Sequence, residues 1–343
     1  METARPDEVL VRIVGTGVCH TDLLVRDQLL PPALPAILGH EGSGVVESVG
    51  SAVQSVAAGD AVVLCPLSCG RCRNCRAAHP MQCVAWGPLN LAGRRPDGST
   101  AYRDAADGEL SGHFFGQSSF ATRVVVNERS VVKVPGDAPL ELLGPLGCGL
   151  QAGAGTVLNV LRPAVGQSIV VFGAGPVGLA AVMAARLAGC SPIVVVDRYR
   201  SRLDLACELG ASHAFEAGGD QLVDHISRIG GGLDLAVDAV GLPETVSQSL
   251  AVLAMGGVLA VAGSNGTGRR LSIDPTQLMG RTLHGVIEGD SVPSLQITRL
   301  IELHAAGRFP LDKLVRTYRL AEINEAVADS EAGRTVKPVL LCP

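Results

Sequence analysis

The chain has 343 residues, beyond the roughly 250 to 300 at which a single hydrophobic core stops growing, so two domains are expected. With 47% apolar and 18% charged residues and a net charge of -5, it is a globular chain without the basic field that holds a phosphate backbone, which sets nucleic acid aside as a partner. No apolar run approaches the ~18 residues of a membrane span and the opening residues lack a signal-peptide pattern, so a cytoplasmic protein with no membrane partner is expected.

Along the chain, Val9 to Val14 reads as a strand that enters Gly15-Thr16-Gly17, a turn delivering Cys19 on a loop. Gly39-His40-Glu41-Gly42 precedes Val45, Val46 and Val49, then Val62-Val63-Leu64. This Gly-punctuated β pattern predicts a small barrel over residues 1–149. Within it lies Cys69-x2-Cys72-x2-Cys75-x7-Cys83. Ten cysteines in a reducing compartment are metal ligands or small buried apolar groups before they are disulfides. Here Gly70, Arg71, Arg73, Asn74 and Arg76 make the stretch polar, so four thiolates closing a tetrahedron around zinc is the reading, with a structural role. Residues 93–112, polar and Gly-rich, form the one long loop, expected to border the active site.

A second set is scattered: Cys19-His20-Thr21-Asp22, Gly39-His40-Glu41 and Gly147-Cys148-Gly149. Each piece alone is weak, but a Cys2His set leaves one corner of a zinc ion open for a reacting oxygen.

After Pro163 the texture becomes a strand and helix alternation. Strands are predicted at 168–172, 193–196, 233–240 and 257–262, helices at 176–188, 202–209 and 244–253, with Gly189 capping the first helix. This is a doubly wound parallel sheet in an α/β chain. Gly173-Ala174-Gly175-Pro176-Val177-Gly178 follows the first of these strands and opens a helix, the arrangement that lets backbone approach a pyrophosphate. Asp197 ends the next strand, where a carboxylate bonds the adenosine ribose and repels a 2'-phosphate, so NAD is favoured over NADP in spite of Arg198, Arg200 and Arg202. The tail, through Leu295, Leu300 and Leu303 to Val339-Leu340-Leu341, reads as a helix and a closing strand.

Together these residues resemble the zinc-dependent medium-chain alcohol dehydrogenases over nearly the whole chain. The wording of Glu141 to Gly149, His113 to Phe120 and Glu288 to Pro293 is most similar to the aryl-alcohol (benzyl alcohol) dehydrogenase branch. The resemblance implies a GroES-like β-barrel catalytic domain at 1–149, a Rossmann NAD-binding domain at 150–285 and a return to the catalytic domain at 286–343. It implies a catalytic zinc on Cys19, His40 and Cys148 with Glu41 nearby, Thr21 bonding the substrate oxygen and Asp22 orienting His40. It places His20 and Lys337 at the pyrophosphate of NAD beside Gly173, Gly175, Val177 and Gly178, Arg202 near the adenosine ribose, and Cys65 in the substrate pocket. The implied reaction is oxidation of a primary aromatic or allylic alcohol to its aldehyde by a homo-oligomer, dimer or tetramer. A formaldehyde or polyol dehydrogenase, or a non-catalytic zinc- and NAD-binding protein, stays open as an alternative.

Two departures stand out. The family carries a proton-relay histidine five residues after the first zinc ligand, where this chain has Leu24. The family also begins further upstream, which implies either a native start before Met1 or an open barrel edge.

Overall fold

The structure is a computed structural model and describes residues 2–219 and 221–343. It divides into two compact units, Met1–Cys148 with Val292–Ile301 and Leu311–Pro343, and Gly149–Ser291 with Glu302–Pro310. In chain order the strands are β1 (Glu8–Gly17), β2 (Gly42–Val49), β3 (Ala61–Leu64), β4 (Arg123–Asn127), β5 (Val131–Lys133), β6 (Ile169–Phe172), β7 (Ile193–Asp197), β8 (His213–Glu216), β9 (Leu233–Asp238), β10 (Leu253–Val261), β11 (Thr282–Gly285), β12 (Val315–Arg319) and β13 (Lys337–Leu341).

The first unit joins seven strands in the order β12-β13-β1-β2-β3-β5, with β4 on β1. Alternation in β1 sends Val9, Val11 and Ile13 into a core with Val46, Val62, Leu64, Val124 and Val126. Each such side chain contributes about 1.5–3 kcal/mol on burial. Both edges of β1 are used, by β2 over Val9 to Thr16, by β4 over Glu8 to Arg12 and by β13 over Gly15 to Gly17. Register shifts against β2 at Leu10/Val11 and Ile13/Gly15 bend the strand before it releases Cys19.

The loop at residues 93–112 is anchored, not free. Buried Arg95 makes a two-toothed bond to Glu8 at 2.7 and 2.8 Å and a third to Glu2 at 2.6 Å. Ala101 and Tyr102 then pack with Val125 and Leu10.

The second unit is a six-stranded sheet, β11-β10-β9-β6-β7-β8, in which every pairing is parallel. Counted within the unit this is order 3-2-1-4-5-6 read from β8, the dinucleotide-binding topology, with its switch point between β6 and β9. Strands β6 and β7 are buried on both faces, as continuous Val and Ile runs require. Helix Pro176–Ala188 crosses between them, ending at Gly189 with φ +81.

Three expectations shift. The helix predicted at 244–253 is Pro243–Ala251, and β10 begins at Leu253 instead of Gly257, because Leu253 pairs with Leu233 before a register break carries the strand past Gly256 at φ +83. Strands β8 and β11 lie at the sheet edges, where short, partly polar sequences such as His213–Glu216 carry no apolar signal. The return expected at residue 286 comes at Val292. Residues 286–291 stay with the second unit because Gly289 and Ser291 are bonded to Asn159 and Gln151.

Gly178 packs so closely under the turn that a Cβ there would overlap the Gly173 carbonyl oxygen. Gly178→Ala is expected to cost about 1–3 kcal/mol, read as a lower thermal midpoint with weaker NADH binding. An unchanged midpoint would contradict the packing.

Candidate active site and metal centres

The lobe Cys69 to Cys83 gathers four sulfur atoms within 4.8 Å of one another. The Cys69–Cys75 and Cys72–Cys75 separations are 3.9 and 3.5 Å. Four sulfurs at ~2.3 Å from a tetrahedral zinc stand roughly 3.8 Å apart, so the cage fits that ion. Backbone amides already point at the sulfurs: Cys69 to Cys83, Cys72 to Cys69 and Cys75 to Cys72, at 3.4 to 3.5 Å. The Cys75 amide is the main reason the Cys72 thiol falls to about 6, while burial and then Cys72 push Cys75 up to about 12. Four thiols this close ionise together only around a cation.

The second cluster joins Cys19, His40, Glu41 and Cys148, whose ligand atoms also lie within 4.8 Å of one another. Asp22 assembles it. Its carboxylate accepts the Cys19 amide, the Gly39 amide and His40 Nδ1, each at 3.0 Å. The first bond caps helix His20–Arg26, and the last fixes the imidazole so that Nε2 faces the sulfurs. Buried His40 Nε2 has no hydrogen-bond partner, which is the vacancy a metal donor presents. Cys148 arrives on a segment pressed against the backbone of Glu41 and of Leu64 at the end of β3. A Cβ on Gly144 would overlap the Glu41 carbonyl, and one on Gly147 the Leu64 carbonyl, so only glycine lets this backbone bring the thiol in.

The charges agree with a metal set. A hydrogen bond from Cys148 holds the Cys19 thiol well below its ordinary value, against burial and with help from His40. Burial opposes charge on His40, but the Asp22 carboxylate and Cys19 outweigh it and raise its basicity. That is the donor strength a carboxylate-backed ligand histidine acquires.

Behind the cluster, Glu41 and Lys337 form an ion pair with side chains 0% and 1% exposed. Lys337 Nζ donates to both Glu41 oxygens at 2.9 Å and to the Val18 carbonyl at 3.0 Å, which uses all three of its protons. Burial works against the ammonium, and Glu41 more than reverses it. Burial also raises the Glu41 carboxyl, with Lys337 opposing. The resemblance places Lys337 at the cofactor pyrophosphate; in this structure its ammonium is held by Glu41 and the Val18 carbonyl.

The wall of the cluster is aromatic. Phe115 stacks on His40 at 4.4 Å, Phe114 meets it edge-on at 5.4 Å, and Trp86 backs Phe115 at 5.5 Å. Gln117 closes the far side, donating to the His40 carbonyl and accepting the Gly42 amide. Left-handed backbone at His113, Phe115 and Ser118 turns these side chains inward. Their signal was the run His113 to Phe120, whose chemistry is legible only once the chain is folded. Thr21 Oγ1 lies 3.7 Å from Cys19 Sγ at the cluster's edge, His20 is exposed at the helix start, and Leu24 is buried in that helix. Cys65 is buried at the end of β3, its thiol toward the Arg129 carbonyl.

In the second unit, Gly173 turns at φ +92, and a Cβ on Gly175 would meet nothing within 4 Å, leaving an open cradle at a helix start that no side chain caps. That fits a pyrophosphate over the first-turn amides of Val177 and Gly178. Asp197 accepts the Ala174 amide at 2.6 Å and the Tyr199 amide at 2.8 Å, and its remaining lone pairs suit ribose hydroxyls. Arg202 lies over the Tyr199 ring at 4.8 Å from its centroid, and Arg198 at 4.7 Å.

Two measurements test this site. Lys337→Met leaves a buried carboxylate without its cation and is expected to cost about 3–5 kcal/mol in denaturant unfolding; a cost within error of zero would contradict the pair. His113 is held neutral by burial, then by Arg95 and Arg5, with its pKa lowered from 6.5 to about 4. The unfolded chain therefore takes the proton first, so wild type should lose up to about 3 kcal/mol relative to His113→Gln as pH falls from 6.5 to 4, and no more below. Parallel thermal-midpoint curves for the two proteins would refute this.

Residues 5–136 match the alcohol dehydrogenase GroES-like domain, and residues 176–305 match the zinc-binding dehydrogenase domain. A geraniol dehydrogenase from Castellaniella defragrans is 45% identical, over 98% of this chain and 91% of its own length. Among solved structures, benzyl alcohol dehydrogenase from Acinetobacter calcoaceticus is 42% identical at a TM-score of 0.96, covering all of this chain and 94% of that one. An alcohol dehydrogenase zinc-binding domain protein from Burkholderia ambifaria is 51% identical at 0.97, again over all of this chain and 94% of its own. Likeness at this identity and coverage, together with two thiol-rich metal cages and a dinucleotide sheet, makes the chain a member of the zinc-dependent medium-chain alcohol dehydrogenases.

Proposed function

We propose that this enzyme oxidises primary aromatic and allylic alcohols to their aldehydes, reversibly, with NAD as hydride acceptor. The observation that carries the reading is the Cys19–His40–Cys148 cluster with Phe115 stacked on its imidazole, a metal corner backed by an aromatic face. Two relatives bear the names of an allylic and an aromatic alcohol dehydrogenase.

Zinc would supply a Lewis acid that makes a bound hydroxyl far more acidic, and NAD would supply the acceptor for hydride. The chain's own part is positioning and proton handling. Asp22 fixes the His40 tautomer, and the Glu41–Lys337 pair keeps a buried negative charge neutralised behind the cluster. Thr21 Oγ1, 3.7 Å from Cys19 Sγ, would take the substrate's hydroxyl proton while giving up its own to an acceptor outside this helix. Leu24 is a buried hydrocarbon that carries no proton, so the onward acceptor is not supplied at that position of the helix.

Exposed Met255, Met279 and Ile287 accompany the edge strand β11, a sheet edge that a second copy would cover. We assign the enzyme to the cytoplasm as a homo-oligomer. No helix among the described residues is long and apolar enough to cross a membrane.

Thr21→Val is expected to lower kcat by about 10²–10⁴ with metal content and NADH affinity kept. Cys148→Ala should abolish NAD-linked benzyl alcohol oxidation while the lobe cage keeps its metal. Undiminished turnover in either variant, or faster turnover of short polar alcohols than of benzyl and allylic ones, would overturn the assignment.

A further inference from the structure

One strained segment of the second unit is unused by the chemistry above. Glu288, Gly289 and Asp290 all have left-handed backbone, at φ 49, 64 and 46. For the two non-glycine residues this backbone is strained, and such strain persists only where surrounding structure enforces it. The enforcement is visible. A Cβ on Gly289 would stand 2.6 Å from Gly155 Cα and 2.7 Å from the Gln151 carbonyl, so loop and helix Gly149–Gly155 touch backbone to backbone. On its other side the helix touches the phosphate turn in the same manner, since a Cβ on Gly153 would overlap the Val177 carbonyl.

Side chains complete the clamp. Gln151, fully buried, donates to the Glu288 carboxylate at 3.4 Å and accepts Ser291 Oγ at 3.0 Å. Asn159, where the helix widens into a π turn at Thr156–Leu161, donates to the Gly289 carbonyl at 3.1 Å. Insertions of this kind concentrate at functional sites. Glu288 is buried, and a carboxylate there costs more than an apolar side chain of its size, so its placement needs a reason beyond packing.

The topology supplies one. A dinucleotide on this sheet spans the switch point, its adenosine over the end of β7 at Asp197 and its pyrophosphate at the start of helix Pro176–Ala188. The remaining half must extend over the carboxyl ends of β9, β10 and β11. The loop at 286–291 leaves the carboxyl end of β11 and returns to the helix that abuts Val177, across that half.

We propose that Glu288, acting through Gln151 and Ser291, is a positioning residue that registers the 288–290 loop to the phosphate turn and thereby sets the seat of the nicotinamide riboside half of the cofactor. This rests on the second unit being the NAD site. Calorimetric titration of zinc-loaded enzyme with NADH and with ADP-ribose, which lacks the nicotinamide half, separates the two claims. Glu288→Ala and Gln151→Leu are expected to weaken NADH binding about tenfold while ADP-ribose affinity stays within about twofold, and Glu288→Gln to recover most of the NADH loss. Should Glu288→Ala not fold, Gln151→Leu and Glu288→Gln carry the same comparison. Equal weakening of both ligands, or of neither, overturns the role of Glu288. Failure of wild type to bind ADP-ribose overturns the cofactor site itself, and the inference with it.

Discussion

The catalytic cluster depends on one carboxylate. Asp22 takes hydrogen bonds from two backbone amides and one imidazole, and these belong to two chain segments separated by a long irregular connection. A single group thus sets where Cys19 stands, where His40 enters and which ring nitrogen His40 offers. Hydrogen bonds to a charged acceptor contribute about 1.5–3 kcal/mol each. The value of Asp22 here is geometric: remove it and the cysteine, the turn at Gly39 and the ring lose their common reference together.

The other positioning devices are of a different kind. Gly144 and Gly147 bring Cys148 in by the absence of side chains, and Gly153, Gly155, Gly178 and Gly289 do the same in the second unit. Backbone-on-backbone contact leaves little room to adjust. Both centres are therefore held by rigid parts, with the rings of Phe114, Phe115 and Trp86 packed beside the first.

Much of this was legible in the sequence, for physical reasons. The cysteine lobe is local, so spacing alone states its geometry. Strands β6 and β7 are buried on both faces and read as unbroken apolar runs, and the glycine turn between β6 and its helix is set by contacts within a few residues. What escaped detection depends on distant partners. Nothing in Lys337 or Glu41 announces that they will meet, and Phe115 carries no mark of stacking on His40. The start of β10 was masked by Gly256 and Gly257, which read as a beginning when they are a bend, and edge strands β8 and β11 had too few apolar residues to show. Charge pairs and ring stacks are properties of tertiary approach, whereas turns and central strands are properties of neighbours.

The pairing of β1 with β13 has a temporal meaning. Strand β1 is completed by β13, which the chain makes long afterwards, near Val339 to Leu341, and the cation that neutralises Glu41 comes with it. The second unit's sheet is built from one continuous stretch between them and has all its strands sooner. Synthesis therefore delivers a finished nucleotide-binding half while the catalytic half still lacks its closing strand, so that the reacting centre is among the final parts of the molecule to become whole.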